Sequence, residues 1–396
     1  MNLSHIIDLN GFRPLKTPLS EISHITIETN QTCNLNCRTC YNLYQDTVKT
    51  LDQIKEEIDF ALTKRNLETI TIIGGEPTLY SDLVEVITYI KGKGLICQLL
   101  TNGVRFIEEK DLIGKYKTAG LDRVLLHVDA GQNYTRGKIN DIIDLHFRQL
   151  QDNRIYFALS ITIYGDNAGI IPRIIRTYAK YSFFDGILAT IERDTRIVFY
   201  ETYKGTEKDS LELEYNNIRS QLGIIPTTYL PASTGDEEIS WLIYFFYTNA
   251  NSGYCYSASR TINYVFRKLY RFVKGKEFFA TTIPPKMYLL NIIVSTLLEL
   301  LFNPLRLNKL RYLVKSSDRL KAIRYHYIVI QDGPYFDKKK NALRLCYHCP
   351  DATIRNGKIT PVCVADLINP IDRSKIINVK AHKVFEDVYM HLGELK

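Results

Sequence analysis

Six short runs rich in Ile, Val, Leu and Thr recur through the first half of the chain, with helical stripes between them. The runs are residues 24–28 (HITIE), 69–73 (TITII), 96–100 (ICQLL), 124–129 (VLLHVD), 157–163 (FALSITI) and 187–191 (ILATI). Each has the length and the β-branched content of a strand. Thr50 and Gln53 stand at capping-box spacing ahead of an apolar stripe formed by Ile54, Ile58 and Ala61. Ser81 is placed to cap a helix carrying Val84, Ile87 and Ile90, which stops near Gly92 and Gly94. Ile139, Ile142, Ile143, Phe147 and Leu150 make a third stripe, and Pro172 suits the first turn of a fourth helix. Strands alternating with helices call for a parallel sheet with right-handed crossovers. An open six-unit barrel and a doubly wound sheet both satisfy that pattern.

Composition narrows the class. Hydrophobic residues make up 45% and charged residues 24% of 396, the balance of a soluble protein with a sizeable core. Eight cysteines are too sparse for a secreted disulfide scaffold, so their grouping matters more than their number. The first residues, MNLSHIIDLNGFRPLK, carry no apolar segment behind a basic start, which makes the cytoplasm the expected compartment. The run MYLLNIIVSTLLELLF at 287–302 is short for a membrane span and includes Asn291, Ser295, Thr296 and Glu299, so a buried or interfacial helix is expected there.

Three cysteines, Cys33, Cys37 and Cys40, follow the first strand with the spacing C-x3-C-x2-C. Strand ends of α/β sheets are where ligands bind. Three thiolates on one tight loop can hold three irons of a [4Fe–4S] cube and leave the fourth iron open. A structural zinc site needs four ligands, and no fourth Cys or His lies nearby in sequence.

CNLNCRTCY, placed after a first strand, resembles the radical SAM signature. Gly74-Gly75-Glu76-Pro77 after the second strand resembles the same superfamily's GGEP motif, and Thr101-Asn102-Gly103 after the third resembles its TNG turn. The resemblance covers roughly residues 20–200. It implies an α/β fold, a partial (βα)6 TIM-like barrel, with a C-terminal, mainly helical and irregular, Fe–S-binding extension. It also implies that S-adenosylmethionine binds the open iron of a cluster on Cys33, Cys37 and Cys40. Gly74, Gly75, Glu76 and Pro77 would lie at its amino group, the glycines admitting close approach and Glu76 accepting from the ammonium. Thr101 and Asn102 of the TNG turn would be cofactor-binding; His127 and Asp129 would lie where the family often places a ribose-binding group, and Ser160 and Thr162 would contact the nucleoside, with core hydroxyls and a satisfied core histidine as the competing reading of these last four. Thr39 stands where the family often has an aromatic residue, and Tyr41 is the candidate replacement. One-electron cleavage to a 5′-deoxyadenosyl radical follows from the resemblance, as does a small reductant protein of flavodoxin or ferredoxin type as partner.

A second group, Cys346, Cys349 and Cys363, has the spacing C-x2-C-x13-C, and Asn356-Gly357 is a hairpin signal that folds Cys363 back toward the pair. This resembles the auxiliary-cluster site of the molybdopterin-precursor GTP cyclase and, more loosely, SPASM/Twitch extensions, and implies a second [4Fe–4S] cluster. A zinc site that includes His348 is the competing reading. Cys255 is a candidate fourth auxiliary ligand, and Cys97 reads as a core thiol. The chain ends HLGELK rather than in the cyclase's Gly-Gly tail, which disfavours GTP as substrate.

The rhythm breaks near residue 205. The expected organisation is an N-terminal segment (1–20), a core barrel (21–205), a basic and aromatic helical insertion or substrate domain (206–340) and an auxiliary cluster domain (341–396). The chain's formal charge is +8, and residues 260–325 alone hold 14 Lys/Arg against 3 Asp/Glu, with Arg311, Lys315 and Arg319 at helical spacing. A membrane surface with a lipid-linked substrate, an RNA partner as the weaker case, and a solvated helical face all fit this segment. The functional expectation is a radical SAM enzyme of unidentified substrate. A peptide- or RNA-modifying maturase and a non-catalytic Fe–S protein are the alternatives.

Overall fold

The computed structural model describes residues 12–37, 40–128, 132, 139–165, 167–192, 210–279, 323–337 and 342–371. The six expected strands are present, within three residues of the expected bounds. They are β2 (His24–Glu28), β3 (Thr69–Ile73), β4 (Ile96–Thr101), β5 (Arg123–His127), β6 (Tyr156–Ile163) and β7 (Phe184–Ile191), following a two-residue β1 (Arg13–Pro14). They pair in sequence order and in parallel. The crossover helices include α1 (Leu51–Lys64), α2 (Leu83–Gly92), α3 (Val104–Glu108), α4 (Leu112–Ala119), α5 (Ile139–Asp152) and α6 (Ile170–Tyr178).

Local chemistry accounts for the helix ends. Thr50 caps α1 in a full capping box with Gln53, as the spacing predicts. The expected Ser81 cap is not made. Asp82 occupies the N-cap of α2 without a side-chain bond, and the buried stripe is Leu83, Val86, Ile87 and Ile90 while Val84 faces out. Ile87 and Ile90 are buried as the spacing predicts, and Leu83 takes the buried position expected of its apolar neighbour Val84.

The sheet does not stop at six strands. β11 (Ile323–Gln331) runs parallel to β7, and β9 (Gly235–Asn249) runs antiparallel to β11. β8 (Thr228–Ala232) and β10 (Cys255–Ser257) both pair with β9, and β1 pairs with β8. The expectation at 206–340 is a basic and aromatic helical insertion or substrate domain. The described part holds α7 (Ser210–Leu222) and α8 (Arg260–Lys274), but its strands continue the barrel's own sheet. The reason is composition: β9 carries the run ISWLIYFFYT, whose aromatic and β-branched residues suit a strand buried on both faces. Residues 280–322, which contain the apolar run 287–302 and Arg311, Lys315 and Arg319, lie outside the described residues.

Strand alternation sorts side chains into two layers. Ile25, Ile27, Ile70, Ile72, Leu99, Leu126 and Leu159 pack under the helices. The opposite parity (His24, Thr26, Thr71, Gln98, His127, Ser160 and Thr162) faces an interior cavity. Among the described strands the sheet path ends at β1 and β2, and the chain around the second cysteine group spans that gap. Ser233 N–H donates to Leu345 O and Tyr347 N–H to Pro231 O on the β8 side. Thr26 Oγ1 donates to Ala352 O, and Arg65 to Cys349 O, on the β2 side. The hairpin of β12 (Ala352–Arg355) and β13 (Lys358–Pro361) follows, turning at Asn356 and Gly357, both at positive φ, as the dipeptide predicts.

Candidate functional site

The ends of β2, β3 and β4 build one rim of the cavity. Past β2, the chain at Asn30 and Thr32 accepts the amides of Gly75 and Glu76, both at 2.8 Å. A Cβ on Gly74 would stand 2.5 Å from Asn30 O, and one on Gly75 would stand 2.3 Å from both Gln31 O and Thr32 O. The two glycines therefore let the GGEP turn press against the stem of the cysteine loop. This close approach is between two backbone segments of the chain itself.

Glu76 ties the rim together. Its Oε1 accepts from Thr78 N (3.0 Å), Thr78 Oγ1 (2.6 Å) and Thr101 Oγ1 (2.6 Å), and its Oε2 accepts from Asn102 N (2.8 Å). Burial raises its pKa against the opposing pull of those four bonds. Oε2, with one donor, is the carboxylate atom with room for another, and the residue lines the cavity. Pro77 opens the 3-10 turn Pro77–Leu79 that follows. Asn102 Nδ2 donates to Asn34 Oδ1 at 2.8 Å and stands 4.0 Å from Cys33 Sγ, so the TNG turn touches the cysteine loop directly.

Cys33, Cys37 and Cys40 are not disulfide-bonded, and all three line the cavity. A Cys40 N–H to Cys37 O contact closes the turn between the last two. Leu35 N–H reaches Cys33 Sγ at 3.4 Å. Three thiols on one turn with backbone and amide donors around them are a donor set that fits iron–sulfur ligation. Arg38 and Thr39 lie outside the described residues, as does Asp129. His127 Nδ1 lies 3.3 Å from Ser160 Oγ, and both line the cavity with Thr162.

The second cysteine group faces the same cavity. Cys346, Cys349 and Cys363 all line it. The Cys349 thiol bonds to Cys346, and this bond, with help from Arg344 and Trp241, holds the Cys346 thiol below its ordinary value. Trp241 Nε1 donates to Cys346 Sγ at 3.0 Å. The hydrogen bond with Cys346 pushes the Cys349 thiol up, and burial pushes Cys363 up. Tyr41 stands between the groups. Burial first, then the neighbouring acidic groups Glu28, Cys40, Asp351 and Cys363, drive its hydroxyl well above the usual range.

Two candidates are not brought to this cavity. Cys255 lies on β10 within the apolar core, its thiol donating to Gly253 O, and burial pushes it up to about 11. The structure places this candidate fourth ligand away from Cys346, Cys349 and Cys363: β10 pairs with β9 and carries it into the core. His348 is exposed and its Nδ1 contacts Thr17 O at 2.9 Å, away from the cysteines beside it. Among the described residues no three His, Cys, Asp or Glu side chains converge to hold a single metal ion. Cys97 is fully buried in the helix-facing layer, the core thiol expected.

Sequence reading missed Trp241, Arg344, Arg355 and Asp366. Trp241, the single tryptophan of the chain, was the one with a visible signal.

Residues 27–165 match the family model described as Radical SAM superfamily. Among solved structures, the chain is similar to SuiB of Streptococcus suis bound to precursor peptide SuiA. The identity is 13% over 51% of this chain and 46% of that one, with a TM-score of 0.42. It is similar to anSMEcpe with bound AdoMet at 15% identity over 50% and 58%, TM-score 0.39. It is similar to TYW1 with a lysine-pyruvate adduct bound at 14% over 52% and 79%, TM-score 0.32. The match spans about half the length of the SuiB chain. Among curated proteins none matches. Among the described residues no helix is long and apolar enough to cross a membrane.

Proposed function

We propose that this chain is an enzyme that cleaves S-adenosylmethionine reductively and works on a substrate held between two iron–sulfur sites. Cys33, Cys37 and Cys40 would hold the first [4Fe–4S] cluster, and Cys346, Cys349 and Cys363 a second. A cluster at the first site supplies the electron that turns S-adenosylmethionine into methionine and a 5′-deoxyadenosyl radical. The chain's own residues do the rest. The Gly74–Pro77 turn and Glu76 Oε2 offer the acceptor for an ammonium, His127 and Ser160 offer polar contacts across the cavity, and the barrel wall keeps water away from a reactive carbon.

One observation carries this reading: both cysteine groups line a single cavity of about 330 Å³. A substrate there meets the first site on one side and Cys346, Cys349 and Trp241 on the other. The test is iron and sulfide counting after anaerobic reconstitution. The parent should hold about eight irons, and Cys33→Ala/Cys37→Ala or Cys349→Ala/Cys363→Ala should each leave about four. A parent that holds about four, all lost with Cys33 and Cys37, removes the second cluster.

A membrane-surface substrate is favoured by one observation on α8. Leu269, Phe272 and Val273 are exposed on this helix, Phe272 to 89%, beside Lys268, Arg271 and Lys274. An apolar strip flanked by cations suits an anionic bilayer. Cosedimentation with phosphatidylserine vesicles, lost in Phe272→Asp and absent with neutral vesicles, supports it. No vesicle binding at low salt refutes it.

A further inference from the structure

The segment that carries the second cysteine group reaches back to hold the first. Asp366 follows Cys363 by three residues, in the short helix Ala365–Ile368, and is almost wholly buried. Its Oδ2 accepts the Leu43 backbone N–H at 2.8 Å. Its Oδ1 accepts Gln31 Nε2 and Arg355 Nη1, both at 2.9 Å. Gln31 lies two residues before Cys33, and Leu43 three residues after Cys40. One carboxylate thus takes a donor from each stem of the first cysteine loop. The stems are also joined to each other, by Gln31 N–H to Thr47 O at 2.6 Å and Thr47 Oγ1 to Gln31 Oε1 at 2.5 Å. On its other side the N-terminal stem rests on Gly74 and Gly75, where no Cβ fits. The loop base is therefore gripped from the GGEP turn and from a helix more than 300 residues away in sequence.

We propose that Asp366 is a positioning residue for the Cys33–Cys40 loop, so that the first site becomes competent only when the 352–368 segment has docked. The inference rests on the reading of Cys33, Cys37 and Cys40 as a ligand set. The physical case is that a buried carboxylate with charge-assisted and backbone donors is a strong, directional tie. A loop with few apolar contacts depends on such ties for its resting shape.

The test uses the full chain with Asp366→Asn, which keeps volume and removes charge. In the metal-free protein, hydrogen exchange of peptides covering 31–47 should speed up about tenfold or more, while peptides from β5 and β6 keep the parent rate. After reconstitution, the change that S-adenosylmethionine causes in the reduced first cluster's EPR signal should be lost or strongly reduced. Arg267→Met, which breaks a buried ion pair with Glu277 at 2.9 Å, should lower stability without either effect. If Asp366→Asn does not fold, Gln31→Leu carries the same comparison. Parent-rate exchange at 31–47 in a folded variant, or equal exchange in the Arg267→Met control, overturns the proposal. If the parent binds no iron, the ligand reading fails, and the metal-free exchange result still decides the role of Asp366.

Discussion

Replacing Arg355 by Met should unsettle the joint between the barrel and the C-terminal hairpin. The guanidinium donates through Nε and Nη2 to the two oxygens of Glu28 and through Nη1 to Asp366, with distances of 2.5, 2.7 and 2.9 Å. Arg355 is 2% exposed and Glu28 1%. Removing the cation leaves a carboxylate at the end of β2 in a dry site with the weaker help of Lys49. Breaking a buried pair this way costs about 3–5 kcal/mol. The pH dependence has a definite sign. In the parent, burial raises the Glu28 pKa, but the charge and hydrogen bonds of Arg355 win and hold it below 4.5. Its contribution is therefore present at neutral pH and is lost as pH falls through that depressed value. In the variant, burial is left largely unopposed and the pKa rises above the ordinary value, so the variant takes up a proton that the parent does not. The stability deficit should then shrink as pH falls from neutral toward the ordinary carboxylate range. Urea unfolding of the metal-free chain, followed by the fluorescence of its single tryptophan, measures it. A deficit under about 1 kcal/mol, or one that grows toward acid, would refute the reasoning.

Other outcomes follow from the site. Gly75→Ala places a Cβ 2.3 Å from two backbone oxygens that cannot rotate away; stability should fall by about 1–3 kcal/mol or more, and iron at the first site should be lost before iron at the second. Cys255→Ala should leave the iron count of the reconstituted protein at the parent value, whereas Cys363→Ala should lower it, because Cys363 lines the cavity and Cys255 is in the core. Trp241→Phe removes the donor to Cys346 Sγ; the reduction potential of the second site should drop in redox titration and that of the first should stay, since donors to a cluster's sulfur ligands raise its potential.

The parallel strands were readable because each is a short apolar run bounded by turn residues, and a strand buried on both faces needs little else. The capping box at Thr50 was readable for the same reason: its two members are three residues apart. The three motif turns were readable as motifs, but the work done by Gly74, Gly75 and Glu76 was not. The sequence reading placed them against a ligand. The fold shows that they also brace the cysteine loop and the TNG turn, through contacts that no local spacing records. β8 and β9 lie beyond the break in rhythm near residue 205, although the run ISWLIYFFYT carries a strand signal of its own. Glu28–Arg355 and Gln31–Asp366 join positions more than 320 residues apart. Nothing periodic marks such pairs, since each member alone reads as an ordinary charged or polar residue.

The central claim is that this cavity cleaves S-adenosylmethionine. The direct measurement is 5′-deoxyadenosine formed by the anaerobically reconstituted protein with S-adenosylmethionine and dithionite, against Cys37→Ala loaded in parallel. The account predicts 5′-deoxyadenosine from the parent, none above background from the variant, and more when an extract containing the substrate is added. A cluster-loaded parent that forms none, with lipid, peptide and RNA extracts each tried, contradicts it and leaves an iron–sulfur protein without this chemistry.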